Sequence, residues 1–408
     1  MSFCMIVPNS PYLFDQWIIE PLGALYLAGA ARRVVDEVSV RVWDEEPIPE
    51  ADWYGVSVVT PHFERARQII RKLRQAHPYA RIIAGGAHCT FAPFQSALDL
   101  GADFVVAGEG ELVMLSILNG ATTGVPGIYT DDGEGHGLAW VPNLSDLPIP
   151  DHSLLQHEYR PNPAFSDDRG GAIMASRGCP YNCSYCGKSV GKKVRWRLPE
   201  QVAEEMTLYS QWRFEDDDIF GNKDWFERFC AAAPSDTYWR CSARAASITT
   251  EMLERASQAG CKQVGIGVET ASSSLLKIHC PSKSVERNTE AVRLVKAAGI
   301  KVTAFLIAGL PGETEETIQE TIDWIGDVQP DRFTVSACTP YPGSPLYNRR
   351  FHYGLMNLSE DFDDYQQLGF EDESVAFAFD TPEADRHELT RLWHKLREVA
   401  RYGIAEKK

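Results

Sequence analysis

Short apolar runs alternate with longer amphipathic stretches from the first residue onward. Phe3 to Val7, Val38 to Trp43, Trp53 to Val59, Arg81 to Ala84 and Phe104 to Ala107 read as strands. Leu22 to Val35 and Phe63 to Ala76 have helical apolar spacing, and Pro93 to Leu100 reads as a shorter helix. Residues 1–145 therefore predict an open, doubly wound parallel sheet. A proline-rich stretch, 146–170, breaks the pattern and predicts an extended linker. The alternation resumes over 171–344. Strands are expected at Ala172 to Ser176, near Trp212, and at Thr237 to Cys241, Gln263 to Val268, Lys301 to Ile307 and Arg332 to Ser336. Helices are expected at Pro199 to Ser210, Lys223 to Ala233, Thr250 to Ala259, Val285 to Ala298 and Glu315 to Val328. Such a run is too short for a closed eight-fold barrel and predicts a partial one. The expected fold is α/β: an N-terminal doubly wound, Rossmann-like parallel sheet, then a partial (β/α)6 TIM-type barrel and a short C-terminal region. That last region, 345–408, carries an acidic run, read as a solvated face and lid, and an amphipathic helix, Glu383 to Tyr402.

Composition narrows the class. The chain has 408 residues, 44% of them hydrophobic, enough for ordinary buried cores. No stretch reaches the ~18 uninterrupted apolar residues of a membrane span. Met1 to Pro8 lacks a basic region and a cleavable apolar segment. The expectation is a soluble, cytoplasmic protein with no membrane partner. A formal charge of -17 argues against nucleic acid as a partner, because phosphate binding needs a surplus of Lys and Arg. Ten cysteines without a secretion signal read as thiols and metal ligands rather than a disulfide framework.

Three of them sit in the run Ser176-Arg-Gly-Cys-Pro-Tyr-Asn-Cys-Ser-Tyr-Cys-Gly187, directly after a predicted strand. The spacing of Cys179, Cys183 and Cys186 suits three corners of a cubane iron-sulfur cluster and supplies no fourth ligand. An open iron can bind a cosubstrate and pass an electron into it. A structural zinc site would want four ligands in paired short spacings, and no second pair lies nearby in sequence. Cys338 falls at a late strand end, where a buried thiol is the plainer reading.

This run resembles the signature of the radical S-adenosylmethionine (radical SAM) superfamily. The resemblance implies a 4Fe–4S cluster held by Cys179, Cys183 and Cys186, with S-adenosylmethionine chelating the open iron and cleaved to a 5'-deoxyadenosyl radical. It implies adenine near Tyr185, and the methionyl ammonium at Asp217 or Asp218 in Glu215-Asp-Asp-Asp-Ile-Phe220. It places ribose or carboxylate contacts at Ser242 and Arg244 in Trp239-Arg-Cys-Ser-Ala-Arg244, and a ribose or ammonium contact at Glu269 in Gly265-Ile-Gly-Val-Glu-Thr270. A strand flanking adenine is implied in Ala304 to Thr314, with Leu306 as its S-adenosylmethionine contact.

The first region resembles the cobalamin-binding domain found in front of such barrels. The runs that carry this are Glu20-Pro-Leu-Gly-Ala-Leu-Tyr-Leu-Ala28, Gly55-Val-Ser-Val-Val-Thr-Pro61, Ala84-Gly-Gly-Ala-His88 and Val106-Ala-Gly-Glu-Gly-Glu111. Cobalamin contacts are implied at Pro11, Thr60, Pro61, His62, Gly85, Gly86, His88, Gly108 and Glu109. The Asp-x-His-x-x-Gly motif that ligates cobalt from below is absent from the sequence. The resemblance implies a cobalamin-dependent methyltransferase acting on an unactivated carbon or a phosphinate phosphorus, with its active site at the domain seam. It also implies a small-molecule or peptide substrate and an external one-electron donor of the flavodoxin or ferredoxin type. A rearrangement, cyclisation or ring contraction without methyl transfer, a cobalamin-free first domain, and a cofactor-bound sensor stay open at this point.

Overall fold

The structure is a computed structural model of the chain. It describes all residues except 10–18, 44–46, 123, 156, 162–167, 368–374 and 406–408, and the side chains of 400–405 are also left aside. Two compact units emerge: Met1–Tyr159 with Gly187–Gly191, and Arg160–Cys186 with Lys192–Lys408.

In the first unit the strands are β1 (Ser2–Val7), β2 (Glu37–Val42), β3 (Trp53–Ser57), β4 (Arg81–Gly85), β5 (Phe104–Val106) and β6 (Ile128–Tyr129). They form one sheet in the order β2-β1-β3-β4-β5-β6, parallel except for the final antiparallel β6. Their helices are α1 (Leu22–Ala31), α2 (Phe63–Ala76), α3 (Ala87–Phe91), α4 (Pro93–Leu100) and α5 (Gly110–Leu118). The strand order reverses at β1/β3, and in such sheets ligands sit outside the carboxyl ends of the strands at that reversal. The five larger strands and three of the helices follow the apolar pattern. The pattern does not announce α5, whose Gly-Glu-Leu-Val-Met-Leu-Ser-Ile-Leu run is apolar on nearly every side, so periodicity carries no signal there. Nor does it announce β6, which is two residues long. Residues 141–159 fold onto this unit rather than running free: Val141, Leu144, Leu147, Leu155 and Tyr159 are all buried.

The second unit contains β7 (Gly171–Ile173), β8 (Ser176–Arg177), β9 (Arg195–Trp196), β10 (Gln211–Phe214), β11 (Tyr238–Ala243), β12 (Cys261–Glu269), β13 (Lys301–Ala308) and β14 (Arg332–Ala337). Six of these form a sheet in the order β14-β13-β12-β11-β10-β7, every neighbour parallel, and β8 pairs antiparallel with β9. Strands that add in chain order, each followed by a crossover helix, are the plan of an incomplete barrel, and β7 and β14 remain its unpaired edges. The helices are α6 (Pro199–Met206), α7 (Lys223–Ala232), α8 (Thr250–Gln258), α9 (Ser273–His279), α10 (Val285–Ala297), α11 (Glu315–Val328), α12 (Pro345–Asn348) and α13 (Arg386–Ala405). Trp212 and Trp239 are fully buried, and each satisfies its indole N–H on a backbone carbonyl, Met206 and Ala259 respectively.

In the C-terminal region the acids Glu360, Asp361 and Asp363 are exposed, as expected, while apolar residues nearby are not. Val375, Phe377 and Phe379 are buried in the same core as Leu389, Leu392, Trp393 and Leu396 of α13. The apolar residues interleaved with the acids seal the barrel; of the acidic residues, Glu371 to Glu373 lie outside the described set. Among the described residues no helix is long and apolar enough to cross a membrane.

Candidate active site

The cysteine loop is held at both ends. At its start the buried Asp216, two residues beyond β10, accepts hydrogen bonds from the Ala175 and Ser176 amides and the Ser176 hydroxyl. Burial raises its carboxyl pKa to about 7 against the pull of those bonds. Gly178 has φ +103°, and a Cβ there would come within 2.3 Å of the Lys193 carbonyl, so only glycine fits. At the far end Arg197 donates to the Met174 carbonyl at 2.9 Å and pairs with the buried Glu205 at 2.6 Å.

Cys183 is buried, Cys179 and Cys186 are half-buried, and all three are free thiols. Their donor set, three thiols on one loop, suits a cluster with one open iron. As placed, the thiols do not converge: no three His, Cys, Asp or Glu side chains among the described residues stand ready to hold a metal ion. Cys183 instead packs beside Cys280, the residue after α9, in one apolar cluster. The neighbouring Cys280 thiol lowers the Cys183 pKa; Lys283 and Arg244 act in the same sense, while burial and Glu269 oppose.

Three charged residues surround this loop. Glu269 ends β12 at φ +68°, just past a register shift in its pairing with β13, so a bulge aims its side chain away from the regular pleat. Its carboxylate meets the Lys283 ammonium at 2.5 Å, and Lys283 also donates to the Gly267 carbonyl at 2.6 Å. Both side chains are nearly buried, at 10% and 7% exposure. Burial would lower the Lys283 pKa, but the Glu269 charge outweighs it and holds the ammonium protonated. Arg244 lies with its guanidinium 3.4 Å from the Tyr181 ring centroid and donates to Ser282 at 2.8 Å, while its buried Nε has no hydrogen-bond partner.

The acidic run divides. Asp217 is exposed, whereas Asp218 accepts from the Arg244 amide at 3.2 Å and from the Ser247 hydroxyl; burial raises the Asp218 pKa against them. Half-buried Ser242 ties this run to β11 through its carbonyl, which accepts from the Ile219 amide at 3.2 Å. Tyr185, Glu269 and Leu306 line one cavity of about 130 Å³ with Phe305, Cys338 and Thr339. Burial pushes the Tyr185 hydroxyl well above its usual pKa.

Sequence reasoning did not single out Asp216, His279, Cys280 or Lys283. Only Asp216 left a signal: strand alternation from buried Phe214 puts residue 216 on the inner side and 217 on the outer. Of the other three, His279 ends α9 while Cys280 and Lys283 stand in the turn after it, and the chain pattern does not connect that segment to the cysteine loop.

In the first unit the proposed cobalamin residues gather at the carboxyl edge of the sheet. Thr60, Pro61 and His62 form a single 3-10 turn after β3, Gly85 ends β4 with Gly86 just past it, and Gly108 and Glu109 follow β5. Pro11 lies outside the described residues. His88 is fully buried, with Nδ1 3.1 Å from the Thr60 hydroxyl and its ring 4.5 Å from that of Phe63. Glu109 is also buried and accepts from the Val141 amide at 2.6 Å. A Cβ on Gly86 would stand 2.5 Å from the Val58 carbonyl, and one on Gly108 2.3 Å from that of Ala139. The edge thus offers glycines and backbone. Such an edge would fit a flat corrin, while His88 is spent inside the fold and His62 stands half-buried in the 3-10 turn.

Two family models match the chain. Residues 173–325 match the sequence model of the Radical SAM superfamily, and residues 18–118 match the B12 binding domain. The chain carries a radical SAM domain and a B12-binding domain. These domains imply a 4Fe–4S cluster with S-adenosylmethionine, and cobalamin. Among relatives, an uncharacterized methyltransferase of Pyrococcus horikoshii is 26% identical over 80% of this chain and 77% of its own. The anaerobic magnesium-protoporphyrin IX monomethyl ester cyclase of Cereibacter sphaeroides is 28% identical over 87% of this chain and 62% of its own. In fold, the radical SAM methyltransferase TsrM of Kitasatospora setae, solved with cobalamin and a 4Fe–4S cluster, matches with TM-score 0.68 and 20% identity, over 85% of this chain and 77% of that one.

Proposed function

We propose that the radical SAM enzyme described here is a cobalamin-dependent methyltransferase acting on an unactivated carbon or a phosphinate phosphorus. The observation that carries the reading is the buried ion pair of Glu269 and Lys283, with Arg244 stacked on Tyr181 of the cysteine loop, beside the cavity that Tyr185, Glu269 and Leu306 line. When bound, the cluster and S-adenosylmethionine supply an electron and an adenosyl radical, and cobalamin supplies the methyl group.

In this reading Cys179, Cys183 and Cys186 hold the cluster. Tyr185 and Leu306 enclose adenine in the cavity. Glu269, with Asp217 or Asp218, receives the ammonium, while Ser242 and Arg244 receive ribose or carboxylate. The unpartnered Arg244 Nε is a donor still available to an anionic oxygen. Thr60, Pro61, His62, Gly85, Gly86, His88, Gly108 and Glu109, together with Pro11, shape the cobalamin edge. Residues 1–145 form the cobalamin-binding part and 171–344 the radical part, joined by 146–170, with 345–408 closing the barrel. The partners are a small-molecule or peptide substrate and a flavodoxin- or ferredoxin-type donor, in the cytoplasm and without nucleic acid.

The similarity to a cyclase favours a second reading, oxidative ring closure without methyl transfer. Anaerobic reconstitution followed by a visible spectrum separates cobalamin from cluster. Product mass then distinguishes the outcomes: a gain of one methylene unit supports methyl transfer, and formation of 5'-deoxyadenosine without it supports the cyclase reading. A reconstituted protein that forms no 5'-deoxyadenosine under strong reductant would remove both.

A further inference from the structure

Cys280 lies far from the cysteine loop in sequence, yet the fold lays the two segments side by side. The Ser184 amide donates to the His279 carbonyl at 2.9 Å, and the Ser184 hydroxyl meets His279 Nδ1 at 2.7 Å. His279 is anchored in turn by Nε2 on the Pro311 carbonyl at 2.8 Å, and the Leu346 amide holds the Ser184 carbonyl at 2.8 Å. Residues 183 and 280 are the next along each segment. Their side chains pack together in a small apolar cluster with Leu276, flanked by Tyr185, Cys186 and Val285. Cys280 also donates to the Tyr185 hydroxyl at 3.5 Å. Cys183 is 6% exposed and Cys280 fully buried, so only a small oxidant reaches the pair.

We infer that Cys183 and Cys280 form a reversible disulfide whenever the loop holds no cluster. The inference rests on the proposed role of Cys183 as a ligand only for its consequence, not for the bond itself. Hydrogen peroxide converts the Cys183 thiol to a sulfenic acid and releases one water. The Cys280 thiol then attacks that sulfur, the S–S bond forms, and the hydroxyl leaves with the Cys280 proton as a second water. Two thiols have lost two electrons and the peroxide O–O bond has taken them up. A dithiol reverses the bond by exchange. The pairing withdraws Cys183 from the ligand set but stops its oxidation before the sulfinic acid, which a dithiol does not reverse. Cys280 is thus a resolving thiol for the deepest of the three loop cysteines.

The test uses the full chain, stripped of iron by a chelator, fully reduced, then treated with stoichiometric hydrogen peroxide. Alkylation and peptide mapping without reduction should show the Cys183 peptide joined to the Cys280 peptide. After dithiothreitol, iron and sulfide, the protein should regain the cluster content of untreated material. Cys280→Ser should lose the crosslink, and its recoverable cluster after peroxide should fall several-fold below the wild type. Linkage of Cys183 to Cys179 or Cys186, or absence of any linkage, overturns the inference, as does full recovery in the variant. If Cys280→Ser does not fold, the wild-type map decides alone. A protein that forms the bond but never takes up a cluster would refute the proposed function and leave this inference standing.

Discussion

At the carboxyl edge of the first sheet, the polar residues are tied to their own scaffold: His88 to Thr60, Glu109 to the Val141 amide. Around the cysteine loop of the second unit they are tied to one another, as Glu269 with Lys283, or left with an unused donor, as Arg244 Nε. In the proposed reading the first edge recognises by shape, through glycines and backbone, and the second site by charge. A buried ion pair costs desolvation that an apolar pair would avoid, so its retention points to a ligand whose charges it can take up. A glycine-lined edge asks only for a flat surface.

The largest expected effect falls on the charged side. Cys183→Ala should abolish cluster binding, read as loss of visible absorption and iron, and lower 5'-deoxyadenosine formation by at least about a thousandfold. Retained cleavage would overturn the assignment of the loop.

Glu269→Gln should come next. It strands the Lys283 ammonium in a nearly buried position, which costs about 3–5 kcal/mol in urea unfolding. The variant should also bind S-adenosylmethionine more weakly, and adding Lys283→Met should recover part of the stability but not the affinity. The matching change in the first unit, Glu109→Gln, removes one charge-assisted bond to the Val141 amide and should cost about 1.5–3 kcal/mol in urea unfolding. A larger loss of stability than that of Glu269→Gln would break the contrast between the two edges.

Gly86→Ala and Gly108→Ala should each cost about 1–3 kcal/mol, because the new Cβ meets a carbonyl oxygen at a positive φ. Cobalamin retention should fall with no change in cluster content, measured on the same sample.

The smallest effect is a pH dependence. Burial holds His62 and His88 down at about 4, while an unfolded histidine titrates near 6.5. The unfolded state therefore binds more protons between those values. Stability is complete above pH ~6.5 and is lost as pH falls toward ~4, by on the order of 1 kcal/mol per histidine at pH ~5.5. Urea midpoints at two pH values check this, and His88→Gln should flatten the slope; an unchanged slope would mean His88 is not held neutral by the fold.

Much of the architecture was legible along the chain because half-buried strands and helices stamp periods of two and 3.6 on the apolar residues. Glu315–Val328 reads out end to end in this way. The pattern failed where burial is all-round, as in Gly110–Leu118, and where apolar residues hide among acids, as with Val375, Phe377 and Phe379.

The chemistry divides along the same line. Cys179, Cys183 and Cys186 are close in the chain, so their spacing alone announced a three-thiol loop. The partners of that loop come from a turn after α9 and from the end of β12, segments distant in sequence. Only the packing of parallel strands sets Cys280 against Cys183 and Lys283 against Glu269. Local spacing can specify which residues a ligand could use; which charges and thiols meet them is decided by contacts across the fold.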